Sequence, residues 1–168
     1  MASPLPAVIV PAAVGTALAS EIRGRLERAT STRYALVDRA SYDIIASPNE
    51  PELLDVLTGV AAEVTGRSLV LVEARAIRLG PGDYLLVRHD RVHEERPIEL
   101  VLDLSSAAVP GAEVHWRHRG QLFFTMPSTP GALAIVERGP TVMCNHTYVS
   151  KRRPDASVVR LVMLLRAT

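Results

Sequence analysis

Hydrophobic spacing along this chain changes character at Gly66. Ahead of it, Ala17, Leu18, Ile22 and Leu26 recur at helical spacing between Gly15 and Ala29, with Glu, Arg and Ser between, which predicts an amphipathic surface helix. A second helix is expected to start in Ser47-Pro48-Asn49-Glu50-Pro51, capped by Ser47 or Asn49, and to run to about Val64. It carries Leu53, Leu54, Leu57, Val60, Ala61 and Val64 on one face, and Thr65-Gly66 ends it. A short strand at 7–10 precedes both helices and stops at Pro11, while 30–47 is mixed, with 34–37 readable as a short strand. After Gly66 the chain reads as strands at 68–79, 84–88, 98–104, 113–118, 121–126, 132–137, 141–145 and 158–165. Turn signals such as Gly80-Pro81-Gly82-Asp83, Pro110-Gly111 and Gly139-Pro140 separate them.

About eight short strands at close, regular spacing predict a sandwich or barrel, not a parallel sheet. The fold class expected is α+β, mainly β: a jelly roll or cupin-like barrel buttressed by two N-terminal helices. One domain spans 1–168, with 1–66 supplying the first strand and the helices and 67–168 the barrel core.

Composition narrows the function classes. Aromatics make up 4% of the chain, so Val, Leu, Ile and Ala must build the core. A formal net charge of +1 gives no electrostatic case for nucleic acid. Lys151-Arg152-Arg153 reads as a solvated loop in preference to an anion patch. Cys144 is the only cysteine, so no intrachain disulfide forms and nothing points to an oxidising compartment. The N-terminus has no basic n-region and its apolar run is broken, which makes a poor signal peptide, and no run approaches the ~20 apolar residues of a membrane helix. A soluble, cytoplasmic protein acting on a small molecule, with no nucleic-acid or membrane partner, is the expectation.

The chemistry concentrates in Gly82 to Ser105, GDYLLVRHDRVHEERPIELVLDLS, two apolar strands flanking a loop of histidines and carboxylates. His89 and His146 each stand at the C-terminal end of an apolar strand, and antiparallel strands far apart in sequence can bring such ends to one barrel mouth. Two imidazoles plus a carboxylate, with open positions, suit non-haem Fe(II). Polar end-of-strand residues with hydrogen-bonding roles are the alternative. Arg160 lies inside the apolar run Val158-Val159-Arg160-Leu161-Val162-Met163, where an inward guanidinium calls for a paired anion and an outward one does not. His89-Asp90-Arg91-Val92-His93 mimics a zinc-helix pattern, but the strand before it and Pro97 after it argue against a helix. Glu113, His115 and Arg117 share one face of a strand, and Val114, Trp116 and His118 the other; the sequence leaves open which of them lines a pocket.

The order strand, helix, helix, barrel, with GDYLLVRHD followed by an apolar strand, then Pro110-Gly111-Ala112-Glu113-Val114 and Pro130-Gly131-Ala132-Leu133-Ala134-Ile135-Val136, resembles the prolyl-hydroxylase-like branch of the Fe(II)/2-oxoglutarate oxygenases, whose barrel is a double-stranded β-helix. The resemblance covers roughly 7–165 through short motifs. It implies a small oxygenase that hydroxylates a small-molecule or amino-acid-like substrate. His89, Asp90 and His146 would be iron ligands at the catalytic centre, beside Arg91, and Arg160, with Tyr84, would hold 2-oxoglutarate. One departure matters: the pattern His-x-Asp puts the carboxylate at Arg91. Asp90 ligates only if the strand breaks there, since successive strand residues face opposite ways. A pair shifted to His93-Glu94-Glu95 is a second solution. The third is loss of iron, leaving a ligand-binding protein or a metal-independent isomerase or cyclase in which Asp90, Arg91 and the histidines act as acids, bases and anion clamps. The short chain leaves little room for a lid, so the pocket is either open or completed by a second copy in a homodimer.

Overall fold

The computed structural model describes residues 6–87 and 97–168. Two helices and eleven strands are found among them, in the order β1 (Ala7–Val10), α1 (Thr16–Arg28), β2 (Thr32–Leu36), β3 (Ala40–Ala46), α2 (Pro51–Thr65), β4 (Leu69–Leu79), β5 (Tyr84–Leu85), β6 (Ile98–Asp103), β7 (Val114–His118), β8 (Gln121–Met126), β9 (Leu133–Glu137), β10 (Val142–His146) and β11 (Val158–Ala167). The mixed segment ahead of α2 is a hairpin, β2 on β3, which pairs Tyr34 with Tyr42. Of the strand expected at 84–88, only Tyr84 and Leu85 are ladder residues, and Arg88 lies outside the described residues.

Every strand pair is antiparallel. The order β1-β9-β6-β11-β4-β3-β5-β10-β7-β8, with β2 on β3, wraps into a nearly closed barrel. Alternation along the central strands makes two cores from one sheet. On β11, Val159, Leu161, Met163 and Leu165 face the helices, while Val158 and Val162 face the barrel interior. On β6, Leu100 and Leu102 join the first set and Val101 the second. These strands are buried on both faces, so they read as continuous apolar runs.

The helices cover the outer face of that sheet. α2 lays down Leu53, Leu57 and Ala61 at fourth-residue spacing, and Leu57 is 1% exposed, a burial of ~1.5–3 kcal/mol. Its end is as expected: Gly66 takes a left-handed conformation (φ 66°) and donates its N–H to Ala62 O. Its start corrects the expectation of a Ser47 or Asn49 cap. Glu50 holds the cap position without a side-chain cap bond, because its carboxylate accepts Arg25 Nε at 2.7 Å and Nη2 at 2.8 Å from α1. The helix-initiating residue thus ties the two helices together. No helix among the described residues is long and apolar enough to cross a membrane.

Candidate functional site

Arg160 is the third residue of β11 and shares its inward face with Val158 and Val162. It is 1% exposed, so of the two orientations its sequence allowed, the buried one is realised. The side chain crosses to the opposite wall. Nη1 donates to His146 Nδ1 at 2.9 Å and Nη2 to Ala112 O at 2.7 Å, while Nε has no hydrogen-bond partner. Two of five guanidinium N–H groups are therefore used. Burial pulls the Arg160 pKa down to about 10, opposed by the Asp103 carboxylate opposite it on β6. Asp103 is itself held by turn amides, accepting Ser105 N–H at 2.8 Å and Thr129 N–H at 3.0 Å.

His146 closes β10 and is buried, opposite Leu85 and Val114. Burial first, then the positive charges of Arg160 and Arg75, hold its pKa well below the usual histidine range, so the ring is neutral. A guanidinium only donates, which makes Nδ1 the acceptor and places the single ring proton on Nε2.

At the other end of the barrel interior sits a second polar group that no motif announced. Glu99 Oε2 accepts Arg138 Nη1 at 2.6 Å, Glu99 Oε1 accepts Trp116 Nε1 at 2.8 Å, and Arg138 Nη2 donates to Val142 O at 3.0 Å. Arg138 and Trp116 are fully buried and Glu99 is nearly so. The signal was a charge inside IELVLDLS, read as part of the ligand-rich stretch, and an arginine directly after the apolar run of β9.

His89, Asp90 and Arg91 lie outside the described residues, as do His93, Glu94 and Glu95. The flanks of that segment are described, while the expectation that His89 and His146 share one mouth falls on residues outside the described ones. β5 and β10 are adjacent and antiparallel, with Leu85 opposite His146, so the end of one lies beside the start of the other. β5 leads away from His146 towards the Val142 end of β10, and the chain returns at Pro97, whose carbonyl accepts Arg138 N–H. Val142 and His146 are four residues apart, ~13 Å at ~3.3 Å per strand residue. Leu85 is the β5 residue in the barrel core, and alternation puts its neighbour Tyr84 on the other face of the strand. On β7, Val114 and Trp116 face inward, and the outward Glu113 and His115 pair with each other at 2.7 Å. Cys144 is a buried core residue, as expected.

No protein-family model and no curated protein matches the chain. Solved structures do. An oxidoreductase of the 2OG-Fe(II) oxygenase family from Burkholderia pseudomallei superposes with a TM-score of 0.74 at 11% identity, covering 95% of this chain and 85% of that one. The epimerase SnoN in complex with Fe3+, alpha ketoglutarate and nogalamycin RO gives 0.69 at 11%, covering 97% and 79%. A prolyl-4-hydroxylase from Pseudomonas putida gives 0.68 at 14%, covering 98% and 94%. The fold is therefore the double-stranded β-helix of the 2OG-Fe(II) oxygenases, and at these identities the likeness concerns the fold.

Iron implied by that fold meets a poor donor set among the described residues. No three metal-ligating side chains come together there. His146 offers no free lone pair, since Nδ1 accepts from Arg160 and Nε2 carries the proton. The Val142 end of the interior is occupied by the Glu99–Arg138 pair and Trp116. The described residues do not fit an iron ion.

Proposed function

We propose that this chain is an enzyme that binds 2-oxoglutarate, or a dicarboxylate like it, inside the barrel, with Arg160 as the anchor. The observation that carries this reading is a buried guanidinium with no carboxylate hydrogen-bonded to it among the described residues and with its Nε unpaired. Asp103, the carboxylate nearest in register, is already held by turn amides, and a carboxylate docking on the guanidinium offsets the cost of burial with charge-assisted hydrogen bonds. The fold supports the choice of ligand, since structures that share it were solved with alpha ketoglutarate or 2-oxoglutarate bound. In the oxygenase form of this reading, the product is an oxidised small molecule, and any iron is held by residues of 88–96, His89 and Asp90 first among them. When bound, iron would supply oxygen activation; the part of the described residues is to fix the dicarboxylate and keep the interior dry.

A second reading is favoured by the Arg160–His146 bond and by the Glu99–Arg138 pair: a barrel that binds the dicarboxylate without metal and acts as a binding protein or a metal-independent isomerase or cyclase. Anaerobic titration with 2-oxoglutarate, with and without Fe(II), separates the two. The oxygenase form predicts a metal-to-ligand charge-transfer band that requires both additions. The metal-independent form predicts the same affinity in chelator-treated protein and no such band. No binding of 2-oxoglutarate under either condition would overturn both.

A further inference from the structure

We infer that His146 is the positioning partner of Arg160 and a hydrogen-bond donor to the bound carboxylate, not a ligand of a metal ion. The inference rests on the reading of Arg160 as the dicarboxylate anchor and adds to it a role for the residue beside it.

Three observations carry it. The first is the direction of the hydrogen bond: Arg160 Nη1 donates to His146 Nδ1 at 2.9 Å, so the neutral ring has its lone pair occupied and its proton on Nε2. A metal needs a lone pair. Moving the proton to Nδ1 to free Nε2 would set two donors against each other across 2.9 Å. The second is place. His146 stands at the end of β10, and through Arg160 it is tied to Ala112, whose carbonyl fixes the other arm of the guanidinium. His146 and Ala112 together clamp both terminal nitrogens of Arg160 and leave its buried Nε without a hydrogen-bond partner. The third is the free donor. His146 Nε2 has no hydrogen-bond partner among the described residues, so the dyad presents two unused N–H groups, Arg160 Nε and His146 Nε2. Unpaired N–H groups call for acceptors such as carboxylate oxygens; a cation matches neither.

The test joins nuclear magnetic resonance to binding. Long-range 1H–15N correlation on the metal-free full chain should show His146 as the Nε2–H tautomer, and its signals should not move on addition of Zn2+. Zn2+ affinity in His146→Ala should equal that of the wild type, while 2-oxoglutarate affinity falls by about tenfold or more, the effect of losing a hydrogen bond to a charged group. His146→Asn keeps a carbonyl acceptor and an N–H donor and should restore most of that affinity, which it cannot do for a lost metal ligand. An Nδ1–H tautomer, Zn2+-dependent His146 signals, or loss of Zn2+ binding in His146→Ala would overturn the inference. If the wild type binds no 2-oxoglutarate, the reading of Arg160 as anchor fails, while the tautomer and Zn2+ arms still decide the role of His146.

Discussion

Replacing Glu99 by Gln isolates the energy of the ion pair buried in the barrel. The amide keeps an oxygen for Trp116 Nε1 and changes little volume, but it removes the carboxylate charge that the fully buried Arg138 Nη1 is paired with. Breaking one partner of such a pair costs ~3–5 kcal/mol. At ~2–4 °C per kcal/mol for a domain of this size, the melting temperature should fall by roughly 6–20 °C. Arg138→Met should lose a similar amount, because Glu99 then holds an unpaired buried charge and Val142 O loses its donor. The double variant removes both charges and should recover most of the loss, since a buried pair is worth little against apolar replacements. Urea unfolding followed by fluorescence of Trp116, the only tryptophan, measures all four states of the cycle. Acid adds an independent check. Burial raises the Glu99 pKa, but Arg138 and Trp116 outweigh it and hold it below the usual carboxylate range. Its stabilisation is therefore present above the unfolded pKa of about 4.3 and lost as pH falls through the depressed value, a loss that Glu99→Gln should not show. Single variants each within ~1 kcal/mol of wild type, or a double variant that loses their sum, would refute the assignment.

Gly131→Ala should destabilise by at least ~1–2 kcal/mol, because φ is +82° and the new Cβ would stand 2.9 Å from the backbone oxygen of Val14; an unchanged denaturation midpoint would contradict this. The depressed pKa of His146 makes the folded chain decline a proton that the unfolded chain accepts, so stability should fall with pH below about 6.5, by up to ~1.4 kcal/mol per unit. His146→Asn should remove that component of the slope in urea midpoints taken from about pH 7 to 5, and an identical slope in the variant would refute the assignment. Asp103→Ala should cost ~1–3 kcal/mol through the two turn amides it leaves without an acceptor, read as a lowered melting temperature.

The fold was legible where period and length agree. The two amphipathic helices and the strands from β6 to β11 fall close to their expected bounds because alternation, continuous apolar runs and glycine or proline turns mark them. The β2–β3 hairpin was less so, since half-exposed residues such as Thr32 and Arg33 blur its alternation. The site divided differently. Arg160 was visible as a charge within an apolar run, and the same signal at Glu99 went unused because the ligand-rich stretch around it suggested another role. The pairing of His89 with His146 lies partly outside the described residues; what the structure adds is that β5 and β10 are antiparallel neighbours, and no spacing along the sequence carries that. The hydrogen bond that fixes the His146 tautomer is a contact across the barrel between residues 14 apart, visible only once both walls are in place.

The central claim is that Arg160 anchors a dicarboxylate within the barrel, and calorimetric titration of 2-oxoglutarate into metal-free wild type and Arg160→Gln tests it most directly. The account predicts one-to-one binding to the wild type and a loss of about a hundredfold or more in the variant, whose fold is verified by its circular dichroism, since truncating one side of a buried charge pair costs ~2–5 kcal/mol. Equal affinity in the two proteins, or no binding to the wild type, would contradict it.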